Sequence, residues 1–295
     1  MAVDRSFHLK GNEHAVLLIH GLASSPLEVR YLATALNRAG FTVSVPALPH
    51  YGFVQEGESC GTWQDWLEEV RLRYFDLESK YQTVCVGGLS MGATLSLALA
   101  TQERSITAVA LLSLTLAYDG WAVPWYRALF KAAYYTPLRN VYRFHEGEPY
   151  GLKNVQLRKK VAQAMSTTAF SDIGPSTLSM EQLFQSSKLV DYVVSATPNA
   201  KADLLVIHAV DDETASPKSA EFAIDKAGSQ HKRKIFLDNS YHIITLDNER
   251  DMVARETALF FQESVRRRLA TGLTQGPQVV NEQLARAKRL AELDG

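Results

Sequence analysis

From residue 14 onwards, short apolar runs rich in β-branched residues alternate with longer stretches in which apolar positions recur at helical spacing. The short runs predict buried strands and the longer stretches predict amphipathic helices. The predicted strands are residues 14–20, 41–46, 83–88, 106–112, 203–209 and 233–237, with a weaker edge strand at 6–10. The predicted helices are residues 27–39, 63–80, 91–102, 217–227 and 249–268. This alternation predicts an α/β fold, a mostly parallel sheet with helices on both faces.

The alternation stops between residues 117 and 201, where prolines interrupt helical stretches and no strand pattern stands out. Residues 118–150 hold 10 of the 28 aromatic residues of the chain. This enrichment favours two compatible interpretations, a helical subdomain that packs its own core and a cap that covers a substrate pocket. The expected domains are a core of residues 1–116 and 202–268, a helical cap at 117–201 and a helical tail at 269–295. Candidate pocket residues are Tyr51, Trp121, Trp125, Phe130 and Tyr134.

The tail begins with a polar link that contains Gly and Pro. Beyond the link, apolar residues recur at helical spacing at Val280, Leu284, Ala287 and Ala291. This pattern predicts an amphipathic helix outside the sheet. Such a helix can dock on its own domain, fray, or contribute to a homodimer contact, and the sequence leaves these alternatives open.

Composition and charge narrow the class of protein. The chain has 295 residues, 46% of them hydrophobic and 21% charged, as in ordinary globular proteins. The formal net charge is -1, so no overall positive field favours nucleic acid or an anionic membrane as a partner. The two cysteines, Cys60 and Cys85, are too few for a four-ligand zinc site by themselves, and no metal or other cofactor is expected. The apolar runs are too short to span a bilayer and residues 1–8 lack a signal-peptide pattern, which predicts a cytoplasmic protein.

The most specific motif is Gly88-Leu-Ser90-Met91-Gly92, a G-x-S-x-G pattern between a predicted strand and a predicted helix. A serine held at such a turn projects its hydroxyl above the sheet, and the crowded backbone requires small residues two positions on either side. The amide N–H of Met91 begins the helix, where negative charge is stabilised. The motif therefore predicts a nucleophilic serine.

A serine nucleophile needs a histidine base and an acid that orients the histidine. His242 follows the last predicted strand across a short turn, and Asp211, Asp212 and Glu213 follow the strand before it. The C-terminal ends of parallel strands meet at one edge of the sheet, where open α/β sheets gather their sites. His242 is therefore the expected base, and one of the three carboxylates is expected to orient it.

These motifs resemble the α/β-hydrolase superfamily, specifically its compact bacterial carboxylesterases and monoacylglycerol lipases. The resemblance rests on His20-Gly21-Leu22, Gly88 to Gly92, Asp211-Asp212-Glu213 with Pro217 beyond, and Ser240-Tyr241-His242. It implies an α/β-hydrolase fold with an inserted helical cap, and an oxyanion hole formed by the amides of Leu22 and Met91. It also favours Asp212 as the acid, because the acid of such esterases stands about five residues before a proline like Pro217.

The function expected from the resemblance is that of a serine esterase that cleaves small-molecule carboxylic esters through an acyl-enzyme on Ser90. The aromatic insertion favours short to medium or aromatic acyl groups. A monoacylglycerol lipase is the main alternative. An acyltransferase or a hydrolase of non-ester bonds is also open, because the fold and the nucleophile do not determine the leaving group.

Overall fold

The computed structural model describes residues 5–272 except 53–57, 124–132, 146, 169, 172–173 and 176. Its strands, in chain order, are β1 (Phe7–Leu9), β2 (His14–Ile19), β3 (Thr42–Val45), β4 (Thr83–Leu89), β5 (Ala108–Leu112), β6 (Arg143–His145), β7 (Phe170–Ser171), β8 (Gly174–Pro175), β9 (Thr177–Ser179), β10 (Asp203–Ala209) and β11 (Lys232–Leu237). Seven of them form one sheet in the order β1-β3-β2-β4-β5-β10-β11. Only the β1–β3 pairing in this sheet is antiparallel, so the predicted mostly parallel sheet is confirmed.

The helices of the described residues are α1 (Arg30–Arg38), α2 (Trp63–Glu78), α3 (Met91–Gln102), α4 (Val155–Thr168), α5 (Met180–Ala196), α6 (Lys218–Lys226) and α7 (Arg250–Ala270). Short 3-10 turns lie at Pro26–Val29, Pro137–Asn140 and Thr197–Asn199. The start of α2 illustrates how local sequence sets a boundary. The Thr62 side chain accepts from the Asp65 amide while the Asp65 carboxylate accepts from the Thr62 amide, a reciprocal capping box.

The central strands are buried on both faces, which explains their continuous apolar sequences. Successive side chains alternate between two core clusters, as the strand geometry requires. Leu17 and Val86 pack with α2 and α3, whereas Leu18 and Leu112 pack with α1 and α7. Helix α3 is apolar on all sides and buried from Met91 to Thr101. The sheet is therefore covered by helices on both faces, as predicted.

The segment 117–201 differs from the expectation that it contains no strands. Strand β6 pairs with β9, and β7 pairs with β8, in two small antiparallel pairs. Each strand is only two or three residues long, too short to produce a readable alternation of apolar and polar positions.

Helix α5, at the end of this segment, packs on the sheet domain. Its Leu189 and Val193 are fully buried in the cluster that contains α2 and α3. We therefore propose that α5 belongs with the core and that an inserted cap ends before Met180. The tail positions Val280 to Ala291 lie outside the described residues, so the tail helix and its role in a dimer stay predictions. Among the described helices, none is both long and apolar enough to cross a membrane.

Candidate active site

Ser90 lies in the turn between the end of β4 and the start of α3. Its backbone has φ 58° and ψ −121°, a conformation that L-residues rarely adopt. The turn is closely packed on both sides. A Cβ at Gly88 would lie 2.3 Å from the carbonyl oxygen of Gly92, and a Cβ at Gly92 would lie 2.4 Å from the carbonyl oxygen of His20. Both glycines are therefore required by backbone contacts, as the motif predicts.

Gly92→Ala should destabilise the protein because the added methyl group meets backbone atoms, which cannot move aside as a flexible side chain can. We expect the free energy of unfolding to fall by about 1–3 kcal/mol, as measured by denaturant titration. Gly147→Ala is the matched control, since a Cβ there meets no atom within 4 Å. Equal stability of the two variants would contradict the close packing at the turn.

The structure brings Ser90, His242 and Asp212 together from three loops at the C-terminal ends of strands. The Nε2 atom of His242 lies 2.8 Å from the Ser90 hydroxyl oxygen. The Nδ1 atom of His242 lies 2.8 Å and 3.0 Å from the two carboxylate oxygens of Asp212. Asp212 also accepts hydrogen bonds from the amides of Thr214 and Ala215, at 2.9 Å and 2.8 Å. A continuous chain of hydrogen bonds thus runs from the buried Asp212 carboxylate through His242 to the partly buried Ser90 hydroxyl.

The three candidate carboxylates have different surroundings. Asp211 is exposed and pairs with Lys153, with 3.0 Å between its carboxylate and the Lys153 Nζ atom. Glu213 is buried but accepts the backbone amide of His242, at 3.1 Å, rather than its ring. Only Asp212 contacts the imidazole among these three residues, so the geometry supports Asp212 as the orienting acid.

Two residues that the sequence did not single out for this role hold the backbone of His242. Glu213 accepts from its N–H, and the Ser113 hydroxyl donates to its C=O at 2.6 Å. Ser113 has a left-handed φ of 46° at the end of β5, which directs it toward the site. Thr115 was also missed; its hydroxyl lies 3.3 Å from that of Ser90. Serine and threonine are too common in loops for their type alone to indicate these contacts.

The charges around His242 control its protonation. Burial disfavours the imidazolium, but the negative charges of Asp212, Glu213 and Glu28 outweigh burial and raise the pKa of His242 to about 9. Burial likewise opposes ionisation of Asp212, yet the charge of His242 and their hydrogen bond hold the pKa of Asp212 below its usual value. The site therefore favours the ion pair, the state that forms when His242 takes a proton.

This raised pKa predicts the pH dependence of the reaction. Neutral His242 is the form that accepts a proton, so kcat/KM should rise with pH through an apparent pKa above 6.5, toward about 9. In Asp212→Asn the midpoint should move to lower pH, because the neighbouring negative charge is lost. The measurement is kcat/KM by pH-stat titration of ester hydrolysis. The electrostatic account would be contradicted if the midpoint of the wild-type pH profile lay below pH 6.5, or if Asp212→Asn left that midpoint unchanged.

The loop after β2 carries the first predicted oxyanion donor. Neither the amide N–H of Leu22 nor that of Met91 donates to a protein acceptor within the described part of the chain. The Gly21 amide beside them donates to the buried carboxylate of Glu28 at 2.7 Å, which fixes the loop. His20 is buried, donates from Nδ1 to the Gly21 carbonyl at 2.8 Å, and burial lowers its pKa to about 4. His20 is therefore neutral and structural, and the two free amides suit an oxyanion.

The predicted pocket residues lie in different environments in the structure. Tyr51 is fully buried, its hydroxyl donates to the His20 carbonyl and its ring packs against Trp66, so it supports the oxyanion loop from within the core rather than lining a pocket. Its sequence position, in a loop between a predicted strand and a predicted helix, did not indicate this packing. Trp121 is exposed and packs against Tyr241. Tyr134 is half-buried against Phe184. Trp125 and Phe130 lie outside the described residues.

Known proteins share both the sequence pattern and the fold. A family model described as serine aminopeptidase, S33, matches residues 11–250. A thermostable monoacylglycerol lipase of Bacillus sp. (strain H-257) is 30% identical over 260 residues, which are 86% of this chain and 93% of that protein. A carboxylesterase of Bacillus subtilis (strain 168) is 25% identical over 264 residues, which are 89% of this chain and 98% of that protein.

A similar solved structure is the monoacylglycerol lipase of Paleococcus ferrophilus. It has a TM-score of 0.74 at 17% identity and covers 88% of this chain and 99% of that one. This likeness confirms the α/β-hydrolase fold. The family match and the sequence relatives confirm the predicted resemblance, and the chain belongs to the serine aminopeptidase S33 family of serine hydrolases.

Proposed function

We propose that this protein is a carboxylic ester hydrolase that works through an acyl-enzyme on Ser90. The observation that carries the proposal is the hydrogen-bonded chain from Ser90 through His242 to buried Asp212, at a strained turn beside two free amides. The relatives named carboxylesterase and monoacylglycerol lipase support the same class of reaction.

The first half of the reaction forms the acyl-enzyme. His242 takes the proton of the Ser90 hydroxyl as the serine oxygen attacks the ester carbonyl carbon. Asp212 keeps the imidazole in the Nδ1–H tautomer and stabilises the imidazolium. The amides of Leu22 and Met91 hold the oxyanion, each such donor contributing about 2.7 to 4 kcal/mol in comparable sites. His242 then protonates the leaving alcohol, and the carbon–oxygen bond of the ester breaks.

The second half releases the acid. His242 takes a proton from water, whose oxygen attacks the acyl carbonyl. The same two amides stabilise the second oxyanion, and the proton returns to the Ser90 oxygen as its bond to the acyl carbon breaks. No residue is consumed, so each turnover converts one ester and one water to one acid and one alcohol.

The proposed substrates are esters with short to medium or aromatic acyl groups. This choice rests on the aromatic character of residues 118–150. Monoacylglycerols are the second candidate, because the relative that is 30% identical carries that activity in its name. An acyltransferase would use the same residues but deliver the acyl group to an alcohol. The cytoplasmic location and a homodimer stay predictions.

The test is a product assay over nitrophenyl esters of increasing acyl length and over monoacylglycerols, with and without added alcohol. We expect acid as the main product and the highest kcat/KM on short to medium nitrophenyl esters. A preference for monoacylglycerols would select the second candidate. Acyl transfer to alcohol in preference to water, or no turnover of any ester, would contradict the proposal.

A further inference from the structure

Asp247 is a carboxylate that is 2% exposed, lies five residues after His242 and has no place in the reaction described above. Its two carboxylate oxygens accept hydrogen bonds from four backbone amides. One oxygen accepts from Lys153 at 2.7 Å and Tyr241 at 2.8 Å, and the other accepts from Asn154 at 2.8 Å and Asn248 at 2.9 Å. A buried carboxylate with this many donors is fully satisfied and fixes the backbone around it.

The four amides come from two parts of the chain that are far apart in sequence. Tyr241 and Asn248 belong to the loop that carries His242. Lys153 and Asn154 immediately precede α4, in the segment between β5 and β10 that interrupts the sheet pattern. Asp247 therefore ties this segment to the loop of the catalytic base.

Further contacts reinforce the same junction. The amide of Ile243, the residue after His242, donates to the Gly151 carbonyl at 2.8 Å. The Asn154 side chain donates to the Asn248 side chain at 2.8 Å. The residues on both sides of His242 are thus hydrogen-bonded, one to Asp247 and the other to Gly151.

We propose that Asp247 is a positioning residue for the reaction, which holds His242 against Ser90 and Asp212 by bonding its loop to residues 151–154. This inference rests on the proposed role of His242. The physical reason is that transfer of the serine proton needs an imidazole placed to within a fraction of an ångström, and a shift of about 1 Å can cost about 10²-fold in rate.

The carboxylate is specifically required at this position. All four partners are N–H donors, and a carboxylate offers only acceptors. In Asp247→Asn one oxygen becomes an NH2 group, which faces two N–H groups and cannot accept from them. Whichever oxygen is replaced, two of the four bonds are then lost, one from the His242 loop and one from the 151–154 segment, while the size of the side chain is nearly unchanged.

The experiment compares Asp247→Asn with Asp203→Asn in the full-length protein. Asp203 accepts two hydrogen bonds from the Arg267 guanidinium at the opposite end of β10, so the same chemical change there disturbs a hydrogen-bonded carboxylate away from the site. Active sites are titrated with a fluorophosphonate so that kcat refers to competent protein. We expect kcat of Asp247→Asn to fall about 10- to 100-fold with KM within about threefold, and kcat of Asp203→Asn to stay within about twofold.

A wild-type kcat per titrated site in Asp247→Asn would overturn the inference, as would an equal loss in Asp203→Asn. If Asp247→Asn does not fold, Asn154→Ala decides, because it removes the side-chain bond to Asn248, together with the bond from the Leu157 amide at the start of α4, and leaves Asp247 in place. Its kcat should fall several-fold, and an unchanged kcat would overturn the link between the segment and His242. If the wild type hydrolyses no ester, the proposed function fails instead, so the two failures are distinguishable.

Discussion

Ser90→Ala should lower kcat for ester hydrolysis by on the order of 10⁶-fold, because Ser90, His242 and Asp212 act as a unit and the variant has no oxygen to form the acyl-enzyme. KM should change little, since the hydroxyl contributes to the transition state rather than to substrate binding. The measurement is kcat and KM on the best nitrophenyl ester of the panel. Activity that remains should come only from substrate binding and the amides of Leu22 and Met91.

Thr94→Val is a suitable control for this variant. Thr94 lies in the first turn of α3 and is buried, and its hydroxyl donates to the backbone carbonyls of Thr115, at 2.8 Å, and Ser90, at 3.5 Å, but not to the Ser90 hydroxyl. It should retain kcat within about tenfold of the wild type while losing the hydrogen bond, on the order of 1 kcal/mol of stability. Near-full activity in Ser90→Ala would remove Ser90 from the mechanism.

Asp212→Asn should lower kcat by about 10⁴-fold, because the amide stabilises the wrong imidazole tautomer and no longer balances the imidazolium charge. Asp211→Asn is the matched control, with the same chemical change one residue away at an exposed carboxylate that pairs with Lys153. A surface ion pair of this kind contributes little to stability, so the kcat of Asp211→Asn should stay close to that of the wild type.

Circular dichroism and thermal unfolding of both variants would show whether the fold is kept. The ranking of the two kcat values is the decisive quantity. A larger loss in Asp211→Asn than in Asp212→Asn would transfer the orienting role to Asp211.

The mostly parallel sheet and its main strands could be predicted because the central strands are buried on both faces. Their apolar runs, such as residues 14–20 and 203–209, are bounded by turn residues and leave few alternatives. The serine turn was predictable for a related reason, since Gly88 and Gly92 are required by backbone contacts within five residues of sequence. Local steric demands of this kind are visible in the chain.

The anchors of His242 were not predictable, since they depend on contacts between distant residues. Ser113 and His242 are separated by 129 residues, and the Asn154 amide meets Asp247 across 93. Tyr51 shows the same limit, because a tyrosine in a loop can line a pocket or, as here, fill the core beside His20 and Trp66. Such placements follow from the packed fold and not from a pattern along the chain.

The central claim is that Ser90 forms a covalent intermediate under the control of His242. Its most direct test is mass spectrometry of the protein after reaction with a fluorophosphonate, with the modified peptide sequenced. We predict one adduct per chain, on Ser90, formed at a rate that falls strongly in His242→Ala. An adduct on another residue, or no adduct on a protein that hydrolyses esters, would contradict the account.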